Sequence, residues 1–120
     1  MKMILYVAFG GAIGSVLRYL VGKLFTSGFP FGTLVVNIVG CLLIGLFFGL
    51  FEKYGTISQE VKVMLTVGIC GGFTTFSTFM NDCNKMISLG DYINVAIYLC
   101  ISIIFGFIAV YFGHRLAEYI

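Results

Sequence analysis

The residues able to do chemistry in this chain crowd into one nine-residue stretch, Gly71 to Phe79, which reads GGFTTFSTF. It holds four hydroxyls (Thr74, Thr75, Ser77, Thr78), two adjacent glycines and three phenyl rings, of which Phe76 and Phe79 stand three residues apart beyond the threonine pair. Asn37 and Arg18 add an amide and a guanidinium to apolar segments elsewhere. Hydroxyl, amide and guanidinium groups donate hydrogen bonds, and the edge of an aromatic ring carries the positive end of its quadrupole. Groups of the opposite sign are placed elsewhere. The five carboxylates (Glu52, Glu60, Asp82, Asp91 and Glu118) are expected outside the four apolar spans delimited below, and His114 at the end of the last one. A proton-coupled carrier needs a membrane carboxylate or histidine as its relay, and this reading finds none. No nucleophile–base pair, metal-ligand cluster or phosphate loop is present either, which argues against an enzyme. A donor-rich site of this kind suits an anion.

Such groups act as a site only if something positions them, and the composition indicates what. Of 120 residues, 60% are hydrophobic and 10% charged, and the mean hydropathy is +1.08. Soluble domains run near half apolar and a quarter charged, so the balance points to lipid as solvent. The net charge of +2 is scattered and too small to suggest a nucleic-acid partner. Met1-Lys2 leads into an apolar run that no small-residue cleavage site ends, so the first segment is expected to be retained.

Crossing the hydrocarbon core takes about 20 residues as a helix, and four stretches qualify: about 3–22, 31–51, 61–80 and 92–113. The expected fold is all-α, one four-helix transmembrane domain over residues 1–120. Pro30 marks the start of the second span, since proline is tolerated in a first helical turn. Before the third, Thr56 and Gln59 stand at capping-box spacing, with Ser58 as the other candidate cap. Gly90-Asp91 reads as a stop followed by an N-cap. An even number of spans puts both termini on one side. That side then carries Lys2, Lys53, Lys62 and Arg115, against Lys23 and Lys85 with Arg18 close by. Orientation follows the Lys/Arg asymmetry of short loops. This bias fits an ordinary N-in protein, and it is also small enough for insertion both ways.

Thr33, Asn37, Cys41, Gly45 and Gly49 recur every four residues along the second span. Gly10-x-x-x-Gly14 and Ser102-x-x-x-Gly106 repeat the spacing in the first and fourth. Small residues so spaced let helices approach closely in lipid. Helix packing accounts for the glycines but leaves Asn37 unexplained, because an intramembrane amide needs partners or water. Arg18 either snorkels past Lys23 to the interface or serves a site. The cysteines (Cys41, Cys70, Cys83, Cys100) lack C-x-x-C spacing and read as buried free thiols. In the third span, glycine and threonine are poor helix formers, and irregular backbone at membrane depth must be enclosed by protein or line a cavity. That span is therefore expected to be a helix broken near the midplane, freeing carbonyl oxygens. If helix resumes beyond the break, Phe76 and Phe79 stack along one face.

Four stretches together resemble a known family, the Fluc (CrcB) fluoride channels: GGAIGSVLRY, PFGTLVVNIVGCLLIG, GICGGFTTFSTF and a glycine-containing fourth span. The resemblance covers nearly the whole chain. It implies a passive, fluoride-selective channel in the plasma or inner membrane that lowers cytoplasmic fluoride toxicity. It also implies an antiparallel, dual-topology homodimer with two pores and a central structural sodium ion (Na+). Carried over by position, the carbonyls of Gly71 and Thr74 would hold the sodium. Phe76 and Phe79 would be pore-lining rings, Asn37 an amide donor, and Ser77 and Thr78 a hydroxyl track. Arg18 would sit by a vestibule, and Tyr98 is a candidate pore-side hydroxyl. The rival readings are a small dual-topology multidrug exporter, which would need a membrane carboxylate, and a non-transporting membrane assembly subunit.

Overall fold

Apolar runs of this length can satisfy their backbone in lipid only as helices. The computed structural model, which describes residues 1–120, is helical with no strand. In chain order its elements are α1 (Lys2–Leu24), α2 (Phe31–Lys53), α3 (Gln59–Val63), a π-helical stretch (Met64–Cys70), the single turn α4 (Gly71–Phe73), α5 (Phe76–Ser88) and α6 (Tyr92–Tyr119). Four segments are long and apolar enough to cross a membrane: Lys2–Leu24, Phe31–Lys53, Gln59–Ser88 and Tyr92–Tyr119. The protein is a multi-pass membrane protein.

Segment ends follow local chemistry. Pro30 sits at the N-cap of α2, and its carbonyl accepts from the Leu34 amide at 3.2 Å. Ser58, rather than Thr56, caps α3 by accepting from the Val61 amide at 3.4 Å. Gly90, at φ +74°, adopts the left-handed conformation after α5 that side chains disfavour. Asp91 occupies the N-cap position of α6, but its carboxylate accepts from the Asn94 side-chain amide at 2.7 Å instead of a backbone N–H.

The third and fourth segments outrun the expected ends at 80 and 113, reaching Ser88 and Tyr119. Hydropathy marks the lipid-crossing part of a helix, whereas hydrogen bonding continues until a residue such as Gly90 stops it. One expectation is thereby corrected. Asp82 does not lie beyond the third segment but stands on α5, within Gln59–Ser88; Glu52, Glu60 and Glu118 likewise fall inside the helical segments, close to their ends, and only Asp91 lies outside.

Two glycine seams hold the bundle. Along the first, α2 packs on α6: a Cβ at Gly45 would fall on the Val110 carbonyl, and one at Gly113 on the Leu42 carbonyl. Along the second, α1 packs on the π-helical stretch and α4. A Cβ at Gly10 would stand 2.5 Å from the Met64 carbonyl oxygen, and one at Gly72 would stand 2.7 Å from that of Gly11. Backbones this close leave no room for side chains, which is how helices adhere where lipid removes the hydrophobic drive between them. The apolar core sits where α2, α5 and α6 meet: Leu34, Phe79, Cys83, Met86, Val95 and Tyr98. Cys41 is half-buried and Cys70 and Cys83 are buried, as expected of apolar thiols, but Cys100 is exposed on α6.

Candidate functional site

Between α4 and α5 the backbone is extended at Thr74 (φ −91°, ψ 159°) and Thr75 (φ −152°, ψ 123°). Side chains take over the hydrogen bonding there. The Thr74 hydroxyl and amide both donate to the Cys70 carbonyl, at 2.9 and 3.0 Å, closing the preceding turn. The Thr75 hydroxyl accepts from the Thr78 amide at 3.2 Å and caps α5. Thr75's own peptide is gripped from α2: its N–H donates to Asn37 Oδ1 at 2.8 Å, and its carbonyl accepts from Asn37 Nδ2 at 3.1 Å. From α1, Arg18 Nε donates to the Gly72 carbonyl at 2.9 Å. The amide that a continuous helix would deliver to the Gly71 carbonyl, that of Thr75, has gone to Asn37. The Thr74 carbonyl accepts no backbone or side-chain hydrogen bond within the chain.

Two cavities flank this junction, and Thr75 lines both. The first, about 350 Å³, is bordered by Asn37, Gly71, Thr74, Phe76 and Phe79. The second, about 380 Å³, is bordered by Arg18, Tyr19, Lys23, Thr33 and Thr78 as well as Thr75, so two cations and four hydroxyl side chains share its wall. Five of the expected site residues therefore meet at one cavity and two more at its neighbour. Ser77 is exposed, its hydroxyl 3.4 Å from that of Thr75.

The phenyl rings do not stack as expected. Phe76 and Phe79 meet edge to face, 6.2 Å between centroids at 84°. The reason is packing: Phe79 is 8% exposed and turns toward Tyr98, at 4.7 Å and 75°, whereas Phe76 is 72% exposed. Edge-to-face contact is the quadrupole-favoured arrangement. Tyr98 is wholly buried, lines neither cavity, and donates its hydroxyl to Asp82 Oδ2 at 3.1 Å.

Three residues at the junction escaped the sequence reading. Thr75 is both cap and clamped peptide; a hydroxyl three residues before Thr78 was the available signal. Gly72 offers Arg18 a carbonyl, which no side-chain pattern discloses. Asp82 was set outside the third segment, although its spacing of three from Phe79 places it on the same helix face.

The family model described as CrcB-like protein, Camphor Resistance (CrcB), matches residues 5–114. Among curated proteins, the fluoride-specific ion channel FluC of Flavobacterium psychrophilum is 43% identical over 122 residues, covering 98% of each chain. That of Bacteroides fragilis is 46% identical over 125 residues, again 98% of each. The fluoride-specific ion channel FluC 1 of Nitrobacter hamburgensis is 50% identical over 105 residues, 84% of this chain and 83% of its own. With the match running from α1 through most of α6 and so including every residue of the Thr74–Thr75 junction, the chain belongs to the CrcB family.

Proposed function

We propose that this protein is a fluoride-selective channel that lets fluoride leave the cell passively through the plasma or inner membrane. The observation that carries the reading is the identity of 43% over nearly full length to a protein named as a fluoride-specific ion channel. The junction supports it chemically. Fluoride is small and strongly hydrated, so a pore must replace its water with close donors, much as potassium filters use carbonyls for their cation. The Asn37 amide has a second N–H beyond the one given to Thr75. Thr78 and Ser77 supply hydroxyls, and Phe76 supplies a largely exposed ring. Arg18 and Lys23 raise the anion concentration at the neighbouring cavity. No step of this function is enzymatic.

The assembly we infer is an antiparallel, dual-topology homodimer with two pores, the third helix of each chain being broken near the bilayer midplane at Thr74–Thr75. Three features support it. One chain is only about two helices thick, the exposed Phe76 has no partner ring besides Phe79, and the loop charges are nearly balanced. A structural sodium ion fits the same junction, because the Thr74 carbonyl is unpartnered and that of Gly71 has lost its helical donor. Those two carbonyls of each chain would hold it. Its charge would offset the carbonyl dipoles where two chains meet. Asp82 does not restore the exporter reading, since its carboxylate is engaged by the buried Tyr98 hydroxyl and lines neither cavity.

The test is halide efflux from liposomes holding the purified protein, fluoride against chloride. Fast fluoride efflux with negligible chloride efflux is expected; a folded dimer that moves no fluoride would overturn the reading.

A further inference from the structure

Charged side chains return to α2 and α6 together near their ends, at Glu52 and Lys53 on one and from His114 onward on the other, which puts the headgroup level of the membrane there. Most of these charges already have partners. Lys53 Nζ donates to the Ala117 and Glu118 carbonyls at 3.4 and 3.2 Å, and so caps the C-terminal end of α6. His114 Nε2 stands 3.0 Å from Glu52 Oε2. Arg115 is left on the outer face of α6, away from Gly113 and Ala117, which are buried against α2. Its one ionic contact, Nη1 to Glu118 Oε2 at 3.8 Å, joins two half-exposed side chains. That is longer than a hydrogen bond, so the guanidinium fork is open to another acceptor.

Arg115 overlooks a groove of about 450 Å³, whose other walls are Tyr111, Phe112, Leu116 and Tyr119 of α6 and Leu42 of α2. Every one of these side chains is exposed. From Tyr111 to Tyr119 the helix rises about 12 Å, so the groove runs from the headgroup level deep into one leaflet, whose hydrocarbon is about 15 Å thick. No carboxylate lines it; Glu118 borders a different cavity, with Glu52, Lys53 and His114. The apolar groove at Leu5, Tyr6, Phe9 and Met64 has no charged side chain on its wall at all. We propose that the Arg115 groove binds an anionic phospholipid of the phosphatidylglycerol class, its phosphate on Arg115 and an acyl chain against Phe112, Leu116 and Leu42. An arginine fork matches the oxygens of a phosphate. A lipid of net negative charge neutralises the guanidinium, whereas a zwitterionic one brings a second cation beside it. A second copy of the chain fits this face less well. Leu42 points about 140° round α2 from Asn37 and about 160° from Ile44, which line the cavity at the junction where we place the partner.

The experiment titrates the purified full chain in detergent with dioleoyl phosphatidylglycerol and, separately, with dioleoyl phosphatidylcholine, counting bound lipids by native mass spectrometry. One phosphatidylglycerol per chain is expected to bind more tightly than any phosphatidylcholine. Arg115→Gln should weaken that lipid roughly fivefold, the scale of one basic residue at an anionic membrane surface, and leave phosphatidylcholine binding unchanged. Phe112→Ala should weaken it too, with the charge intact. Lys2→Gln, which removes a cation from the same end of the molecule outside the groove, should keep the preference. Gel filtration and circular dichroism establish that each variant is folded. Equal affinity of the parent for the two lipids, or a preference that survives Arg115→Gln, overturns the proposal. An equal loss in Lys2→Gln overturns it as well, in favour of diffuse surface charge. If Arg115→Gln or Phe112→Ala instead turns a dimer into a monomer, the groove belongs to a second copy of the chain and the lipid assignment falls.

Discussion

The α2–α6 seam and the Thr74–Thr75 junction both draw on small residues, but they treat the backbone in opposite ways. Along the seam the helices are regular, each backbone group is satisfied within its own helix, and glycine serves only to let two such cylinders touch. At the junction the helical ladder lapses, and Asn37, Arg18, Thr74 and Thr75 assume its hydrogen bonds one by one. Buried backbone groups must be paired somewhere. The seam meets that demand locally, and the junction meets it through residues far away in sequence. A region held by four specific side chains can leave a chosen carbonyl unpaired, as at Thr74; a regular seam cannot. Adhesion and binding are thus divided between two kinds of small-residue surface.

Substitutions that exploit this division should have unequal effects, and the largest belongs to the seam. Gly45→Leu drives a side chain into the Val110 carbonyl, which no rotamer avoids. Overpacking typically costs about 1–3 kcal/mol and more where backbone must move. The expected outcome is loss of the monodisperse species on gel filtration after extraction. Asn37→Ala should instead leave a folded protein. It strands the Thr75 N–H and carbonyl, a loss of about 1–3 kcal/mol for each unsatisfied buried group, and it frees the junction. Thermal melting of the purified protein should fall moderately while fluoride efflux is abolished. A folded, active Gly45→Leu protein would break the comparison at its first term.

How far the sequence discloses each region follows from the same contrast. The seam was legible in part, because Gly45 and Gly49 on α2 and Ser102 and Gly106 on α6 repeat every four residues, spacing that lets helices approach in lipid, whereas Gly113 stands outside that pattern. Asn37 was legible as an anomaly, an amide where only packing residues belong, but its partner was not. Its acceptor and donor are main-chain atoms of Thr75, and main-chain atoms carry no residue signature. The same limit concealed Arg18's bond to Gly72. Phe76 and Phe79 were legible as a pair at i+3, yet their orientation depends on Tyr98, nineteen residues beyond Phe79 in sequence. Asp82 was misplaced for a different reason: hydropathy falls before the helix does.

The two rings divide in the same manner as the two regions. Phe76→Ile and Phe79→Ile should both reduce fluoride flux sharply by removing a ring edge, with wild-type-like flux in both refuting that role. Stability should separate them. Phe79 is packed between Tyr98 and the core, so its substitution should lower the melting temperature, whereas the exposed Phe76 should tolerate the change in the isolated chain. Arg18→Gln is expected to act more weakly, lowering flux several-fold at low salt and less as ionic strength screens the field, over a Debye length of about 8–10 Å near physiological salt. A salt-independent loss would assign Arg18 to the Gly72 bond alone.

The smallest effect sharpens the comparison most, because it compares two neighbouring glycines on α1. Gly10 faces the π-helical stretch, and a Cβ there would meet the Met64 carbonyl oxygen at 2.5 Å. At Gly11 a Cβ meets nothing within 4 Å. In a helix interior alanine is favoured over glycine by roughly 0.5–1 kcal/mol, so Gly11→Ala should raise stability slightly if that face meets only lipid. Gly10→Ala should lower it, since the adjacent backbone has to retreat. Melting temperatures of the two variants, measured side by side, decide the matter. If Gly11→Ala also destabilises, and does so by shifting the protein from dimer to monomer on gel filtration, then the open side of Gly11 is where the second chain packs. The α1 surface would then belong to the assembly as a third seam.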